Sequence, residues 1–128
     1  MKTISNNGAG SPMTITTDDE TQPDRDGTSP EAPDPALLDA AGDLLRALAA
    51  PVRIAIVLQL HQTPRRVHEL VDVLRVPQPL VSQHLRVLKA AGVVSAERSG
   101  REMVYRLVDH HLAHIVLDAV AHAGEGHA

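Results

Sequence analysis

Apolar residues recur along this chain with two different periods, and the change between them marks its parts. From Pro35 the spacing of Leu37, Leu38, Ala41, Leu44, Leu45 and Leu48 is that of one helix face, with Asp34 placed to cap it and proline at the first helical position. Pro51 ends that run, and a second helix, Val52 to about Leu60, puts Ile54, Val57 and Leu58 on one side. These two are expected to serve as scaffold and as the seam with a second copy. A short third helix, Val67 to Leu74, runs into Val76-Pro77-Gln78-Pro79, where the prolines stop one helix and open the next. The fourth, Pro79 to Ala91, buries Val81, Leu85 and Leu88 at i, i+4 and i+7 and ends with Gly92 in the C′ position. The period then falls to two. Val93 to Arg98 and Glu102 to Leu107 alternate as strands around a Ser99-Gly100 turn. The run DHHLAHIVLDAVAHAGE, Asp109 to Glu125, closes the chain as a helix with Leu112, Ile115, Val116, Leu117, Ala119 and Val120 on its apolar side, stopping near Gly124 and Gly126.

Composition changes this picture in three ways. The 128 residues are 43% hydrophobic, but with no Phe, no Trp and only Tyr105 the core has to be aliphatic and small, and a small core favours a partner. The absence of cysteine excludes disulfides, thiolate metal sites and thiol redox sensing. Residues 1–35 carry seven Asp or Glu against Lys2 and Arg25 in a background of Pro, Ser, Thr, Asn and Gly, and read as a disordered acidic tail ahead of one domain over 36–128. Met13 is a second possible start. Outside that tail the balance is ten basic to nine acidic, and from Arg65 to Arg106 it is eight to four, so positive charge gathers where a nucleic-acid surface would lie despite a net charge of −4. No apolar run is long enough to span a bilayer and the first thirty residues hold no secretory h-region, which leaves a cytoplasmic protein as the expectation.

Two surfaces carry candidate chemistry. On the fourth helix, opposite its buried side, lie Pro79, Ser82, Gln83 and Arg86, with Gln78 and Lys89 toward the edge. Ser, Gln and Arg can read base edges in a major groove, and Lys89 suits phosphate, although the same set also makes an ordinary solvated face. Arg98 and Arg101 flank the hairpin tip, where they would meet a phosphate backbone. On the last helix His111 and His122 are about 20° apart around the axis, with His114 and Asp118 on the same side, yet roughly 16 Å apart along it. One chain cannot chelate an ion with both. An antiparallel second copy would bring His122 and Glu125 of one chain beside Asp109 and His111 of the other, giving two equivalent sites of two imidazoles and two carboxylates suited to Zn²⁺. A solvated polar stripe is the competing account.

Helix, helix, helix-turn-helix, hairpin, helix is the order of a winged helix-turn-helix, mainly α with a β-hairpin wing. Over about Leu44 to Glu125 the chain resembles the ArsR/SmtB family of metal-responsive repressors, through LRALAAPVRIAIVLQL, LVSQHLRVLKAAGVV and ERSGREMVYRLVDHH. Members that sense zinc on the last helix use Asp-x-His, ten residues, His-x-x-Glu, and Asp109, His111, His122 and Glu125 stand at that spacing. The resemblance implies a homodimeric repressor that binds double-stranded operator DNA without metal and leaves it when zinc bridges the paired last helices. Two departures qualify it. The Cys pair that some members carry on the first helix of the helix-turn-helix is replaced by Glu69-Leu70-Val71-Asp72-Val73, which argues against cysteine-based arsenic, cadmium or lead sensing. Pro77 stands where the reading helix commonly opens with Ser, so Gln78 or a backbone carbonyl must cap that helix.

Rival readings remain. His110, His114 and His127 would shift selectivity toward nickel or cobalt, and His114 with Asp118, or Asp118 with His122, would make two-ligand clips on one helix. His61 and His68 lie in the reader without a clear role, and His84 is expected to pack or face phosphate. A hydrolytic zinc enzyme is disfavoured, because four protein ligands close the shell that a catalytic ion keeps open, so neither an enzyme nor a small-molecule substrate is expected. A winged helix that senses no metal and uses its last helix only to dimerise is the third account.

Overall fold

The computed structural model describes residues 32–126, so residues 1–31 of the expected 1–35 tail and the possible ligand His127 lie outside the described residues, while Pro35 already begins a helix. The elements run α1 (Pro35–Leu48), α2 (Pro51–Gln62), β1 (Arg65–Arg66), α3 (Val67–Leu74), α4 (Gln78–Ala90), β2 (Val94–Ser99), β3 (Glu102–Leu107) and α5 (His110–Glu125).

The core gathers around α2, which packs against α3, α4, α5 and β3. Its most buried residues are Ile56, Val57 and Leu60, with Ile54 and Leu58 only half-buried, so α2 is apolar on several sides rather than on one. Val81, Leu85 and Leu88 of α4 are fully buried, as their i, i+4, i+7 spacing predicts, and meet Leu70 of α3 and Val93 in the same cluster. Arg53 ties three helices together: its Nε donates to the Ala47 carbonyl at the end of α1 (2.6 Å), and its Nη1 lies 3.4 Å from His84 Nδ1 on α4. His84 is half-buried and packs toward Arg53 rather than standing free on the surface.

The helix-turn-helix is made by backbone rather than by side-chain caps. Arg75 ends α3 in the left-handed region (φ 59°), its N–H donating to the Val71 carbonyl. The carbonyl of Pro77 then accepts from the N–H groups of Leu80 (3.0 Å) and Val81 (3.1 Å), so α4 opens at Gln78 with no side-chain cap. Gly92, at φ 77°, closes α4.

The sheet holds one strand that periodicity does not foresee. Its order is β1-β3-β2, all antiparallel, with Val94 opposite Leu107 and Ser99 opposite Glu102 in the hairpin, and Arg65 opposite Tyr105 and Arg66 opposite Val104 on the far edge. The chain just ahead of α3 is thus stitched to the wing. Side chains reinforce the join: Glu69 accepts the Arg66 N–H (2.7 Å), while Glu102, the first residue of β3, takes both His68 (3.0 Å) and Arg66 (3.5 Å).

On α5, Leu112, Ala113 and Val116 enter the core, but Ile115 and Val120 do not. They stay exposed, as do Leu37 (60%), Leu38 (54%) and Leu45 (54%) on α1. An apolar groove of about 290 Å³ runs between the two helices, lined by Leu45, Leu48, Ala49, Ile54, Ile115, Val116 and Ala119.

Candidate functional site

The outward side of α4 presents Gln78, Pro79, Gln83, Arg86 and Lys89 as exposed side chains, with Ser82 half-buried among them. This follows from the fixed 3.6-residue repeat, which sends Val81, Leu85 and Leu88 inward. Gln78 also lines a cavity of about 240 Å³ with Val67, His68, Glu102, Met103 and Tyr105, so the start of α4 lies near β3 of the wing. At the wing tip Gly100 takes φ 66°, and Arg98 and Arg101 are exposed on either side.

Pairing separates these cations from the others. Arg46 pairs with Asp43, Arg66 with Glu102 and Arg106 with Glu97, Arg65 donates to Gln62, and Arg53 to Ala47. Among the described residues, Arg75, Arg86, Lys89, Arg98 and Arg101 have no ion pair, and all five lie on the helix-turn-helix or the wing. Four of them are the cations proposed from sequence. Arg75 is the addition, missed because a non-glycine residue in the left-handed region gives little signal in the sequence.

The four candidate metal ligands form two pairs at opposite ends of α5. Asp109 caps the helix, its Oδ1 accepting from the His111 N–H (3.0 Å) and lying 2.8 Å from His111 Nδ1. The hydrogen bond with the His111 ring, assisted by the same ring's charge and by N–H groups of the first turn, holds the Asp109 carboxyl below its ordinary value. At the other end His122 Nδ1 lies 3.8 Å from Glu125 Oε1. Both histidines are open to solvent, 87% and 88% exposed. Among the described residues no three potential ligands converge on one point, so neither pair is completed within the chain.

Comparison with known proteins identifies the fold's kin. Residues 50–96 match the family model described as "Bacterial regulatory protein, arsR family". Over 98 residues, 77% of this chain and 73% of the relative, the sequence is 78% identical to the HTH-type transcriptional repressor SmtB of Mycobacterium tuberculosis H37Rv. The chain belongs to the arsR family. Another arsR-type relative, the transcriptional regulator NmtR of the same organism, is 40% identical over 83 residues, covering 65% of this chain and 69% of its own length. Among solved structures, the homodimeric winged helix-turn-helix domain of Mb0332 from Mycobacterium bovis superposes with a TM-score of 0.64 at 29% identity, covering 73% of this chain and 88% of that one. The repressor BigR of Xylella fastidiosa gives 0.60 at 31% identity, covering 65% and 85%. This arsR-family chain is an SmtB-like transcriptional repressor with a winged helix-turn-helix, and its relatives are regulators rather than enzymes. No helix among its described residues is long and apolar enough to cross a membrane.

Proposed function

We propose that the chain is a zinc-responsive repressor that binds operator DNA as an apo homodimer through residues 36–128 and is released when zinc binds between paired α5 helices. The observation that carries this reading is the split of four ligating side chains into two exposed pairs, Asp109 with His111 and His122 with Glu125, at opposite ends of one helix. Two donors do not complete a zinc site. A second copy running antiparallel supplies the other two, and the donor set of two imidazoles and two carboxylates fits the ion. The apolar groove between α1 and α5, with Leu37, Leu38, Leu45, Ile115 and Val120 uncovered around it, supports burial against that second copy.

In this reading Ser82, Gln83 and Arg86 face base edges, with Gln78 and Pro79 at the leading end of α4, while Lys89, Arg98 and Arg101 meet phosphate. A symmetric dimer then sets two reading helices in successive major grooves, which places its work in the cytoplasm with the chromosome. Asp109 and His111 of one chain and His122 and Glu125 of the other would hold the zinc, which would supply a cross-link between the paired helices. Release requires that the ligands be better satisfied in the dimer shape that does not fit DNA, and DNA must then weaken metal binding by the same factor.

Operator titration by fluorescence anisotropy, with zinc and with chelator, tests the reading. His111→Ala and His122→Ala should bind operator as the parent does and fail to respond to zinc. Variants that leave DNA at the parent's zinc concentration would place the effector site elsewhere.

A further inference from the structure

We propose that His61, His110 and His114 form a second divalent-metal site, one that joins α2 to α5 within a single chain and takes a late transition ion such as Co²⁺, Ni²⁺ or Zn²⁺. None of its three ligands belongs to the pairs at the ends of α5. His61 stands on the last turn of α2, and His110 and His114 are one turn apart at the start of α5, the i, i+4 spacing at which two imidazoles on one helix face can hold the same ion. The His61 ring lies with its centroid 6.0 Å from that of His110 and 6.4 Å from that of His114. Beside it is a cavity of about 270 Å³ whose lining includes His61, Thr63, Arg106 and His110.

Edge-to-face packing alone would give similar ring distances. Two further observations point to a ligand. His61 Nδ1 is buried with no hydrogen-bond partner, a state that native interiors seldom tolerate. Its neighbours His110 and His114, brought beside it by the packing of α5 on α2, are exposed, so the core does not lock their rings. Two imidazoles sharing an ion at bonds of about 2.1 Å and a tetrahedral angle have ring centroids about 5 Å apart. The rings therefore stand roughly 1 Å too far apart, and the three do not converge as they lie. Binding therefore requires the two exposed rings to turn toward His61 by about that much. The one cation lining the cavity, Arg106, is already directed to Glu97 at 3.1 Å, and three neutral imidazoles are a donor set that late transition ions favour over Mg²⁺ or Ca²⁺. Residues 63–64 lead from His61 directly into β1 and α3, so an ion here fixes α5 to the reading head of its own chain.

The test uses the full chain and Co²⁺ alone, followed by its ligand-field absorption. In a His111→Ala/His122→Ala background, which removes the proposed sites at the ends of α5, one Co²⁺ per chain should still bind. Adding either His61→Gln or His114→Gln should abolish that equivalent, and the ring resonances of His61, His110 and His114 should be the ones Co²⁺ shifts. His114 is exposed, so its variant keeps the fold even if His61→Gln loosens α2. No cobalt uptake in the double variant overturns the proposal, as does uptake that survives both Gln substitutions. Uptake lost with His114→Gln but kept with a folded His61→Gln reduces the site to a clip on α5 and also overturns it. Zinc release of DNA is read separately by anisotropy, so failure there and failure here are distinguishable.

Discussion

Arg101→Ala at the wing tip offers a quantitative check on which surface meets DNA. Arg101 is exposed and without an ion pair among the described residues, as are Arg75, Arg86, Lys89 and Arg98, giving five such cations per chain and ten per dimer. Each phosphate neutralised on B-DNA contributes about 0.9 to the slope of log affinity against log salt, so ten contacts set a ceiling near −9. Removing one cation per chain removes two per dimer and lowers the slope by about 1.8. Between 50 and 200 mM salt the variant should therefore lose about twelvefold less affinity than the parent does. The assay is anisotropy on operator and on random duplex at a series of salt concentrations, and both duplexes should show the same change in slope. Arg46→Ala is the control, because Arg46 sits on α1 and is 2.6 Å from Asp43. An unchanged slope for Arg101→Ala, or an equal change for Arg46→Ala, would refute the placement of DNA on the wing.

Ser82→Ala and Gln83→Ala should lower operator preference over random duplex, with a salt slope like the parent's; equal losses on both duplexes would remove α4 as the reading helix. Mixing His111→Ala chains with His122→Ala chains should regenerate one intact zinc site per heterodimer, detectable by calorimetry, whereas mixtures that take up no zinc would rule out a site shared between copies. The Arg66 N–H, with lesser help from nearby charge, holds the Glu69 carboxyl below its ordinary value of 4.5. That contribution to stability is complete above 4.5 and lost as pH falls through the lower folded value, so urea unfolding of Glu69→Gln should show a shallower acid limb than the parent. Gly92→Ala should cost about 1–2 kcal/mol in the same assay, since φ is 77° and no atom lies within 4 Å of an added Cβ, leaving backbone strain as the cause.

Features with a strong local signal were legible in the sequence. The periodic runs and their prolines placed α1 and α3 at their observed bounds, and set the starts of α2 and α4 within one residue. The buried side of α4 followed from spacing alone, and with it the exposure of Gln83, Arg86 and Lys89. What escaped depends on partners distant in the chain. Two residues cannot display a period, so β1 is visible only once β3 lies beside it. α2 reads as amphipathic because its neighbours on the other side, α5 and β3, arrive some fifty residues later. His61 has no local motif, and its company with His110 and His114 exists only after α2 and α5 pack. The pairs at the ends of α5 were legible because all four residues sit on one helix.

The short edge strand has a mechanical consequence. Because Arg65 and Arg66 are laddered to Tyr105 and Val104, and Glu102 grips Arg66 and His68, the wing and the helix-turn-helix are sewn together along β3. Within one protomer, tip and reading helix then travel as a single tool, with little freedom to open or close on each other. In the proposed dimer, a signal at α5 would be left with one geometric quantity to alter, the span and tilt between two such tools. Regulation of this kind works as a caliper: the jaws keep their shape, and only the gap between them is set.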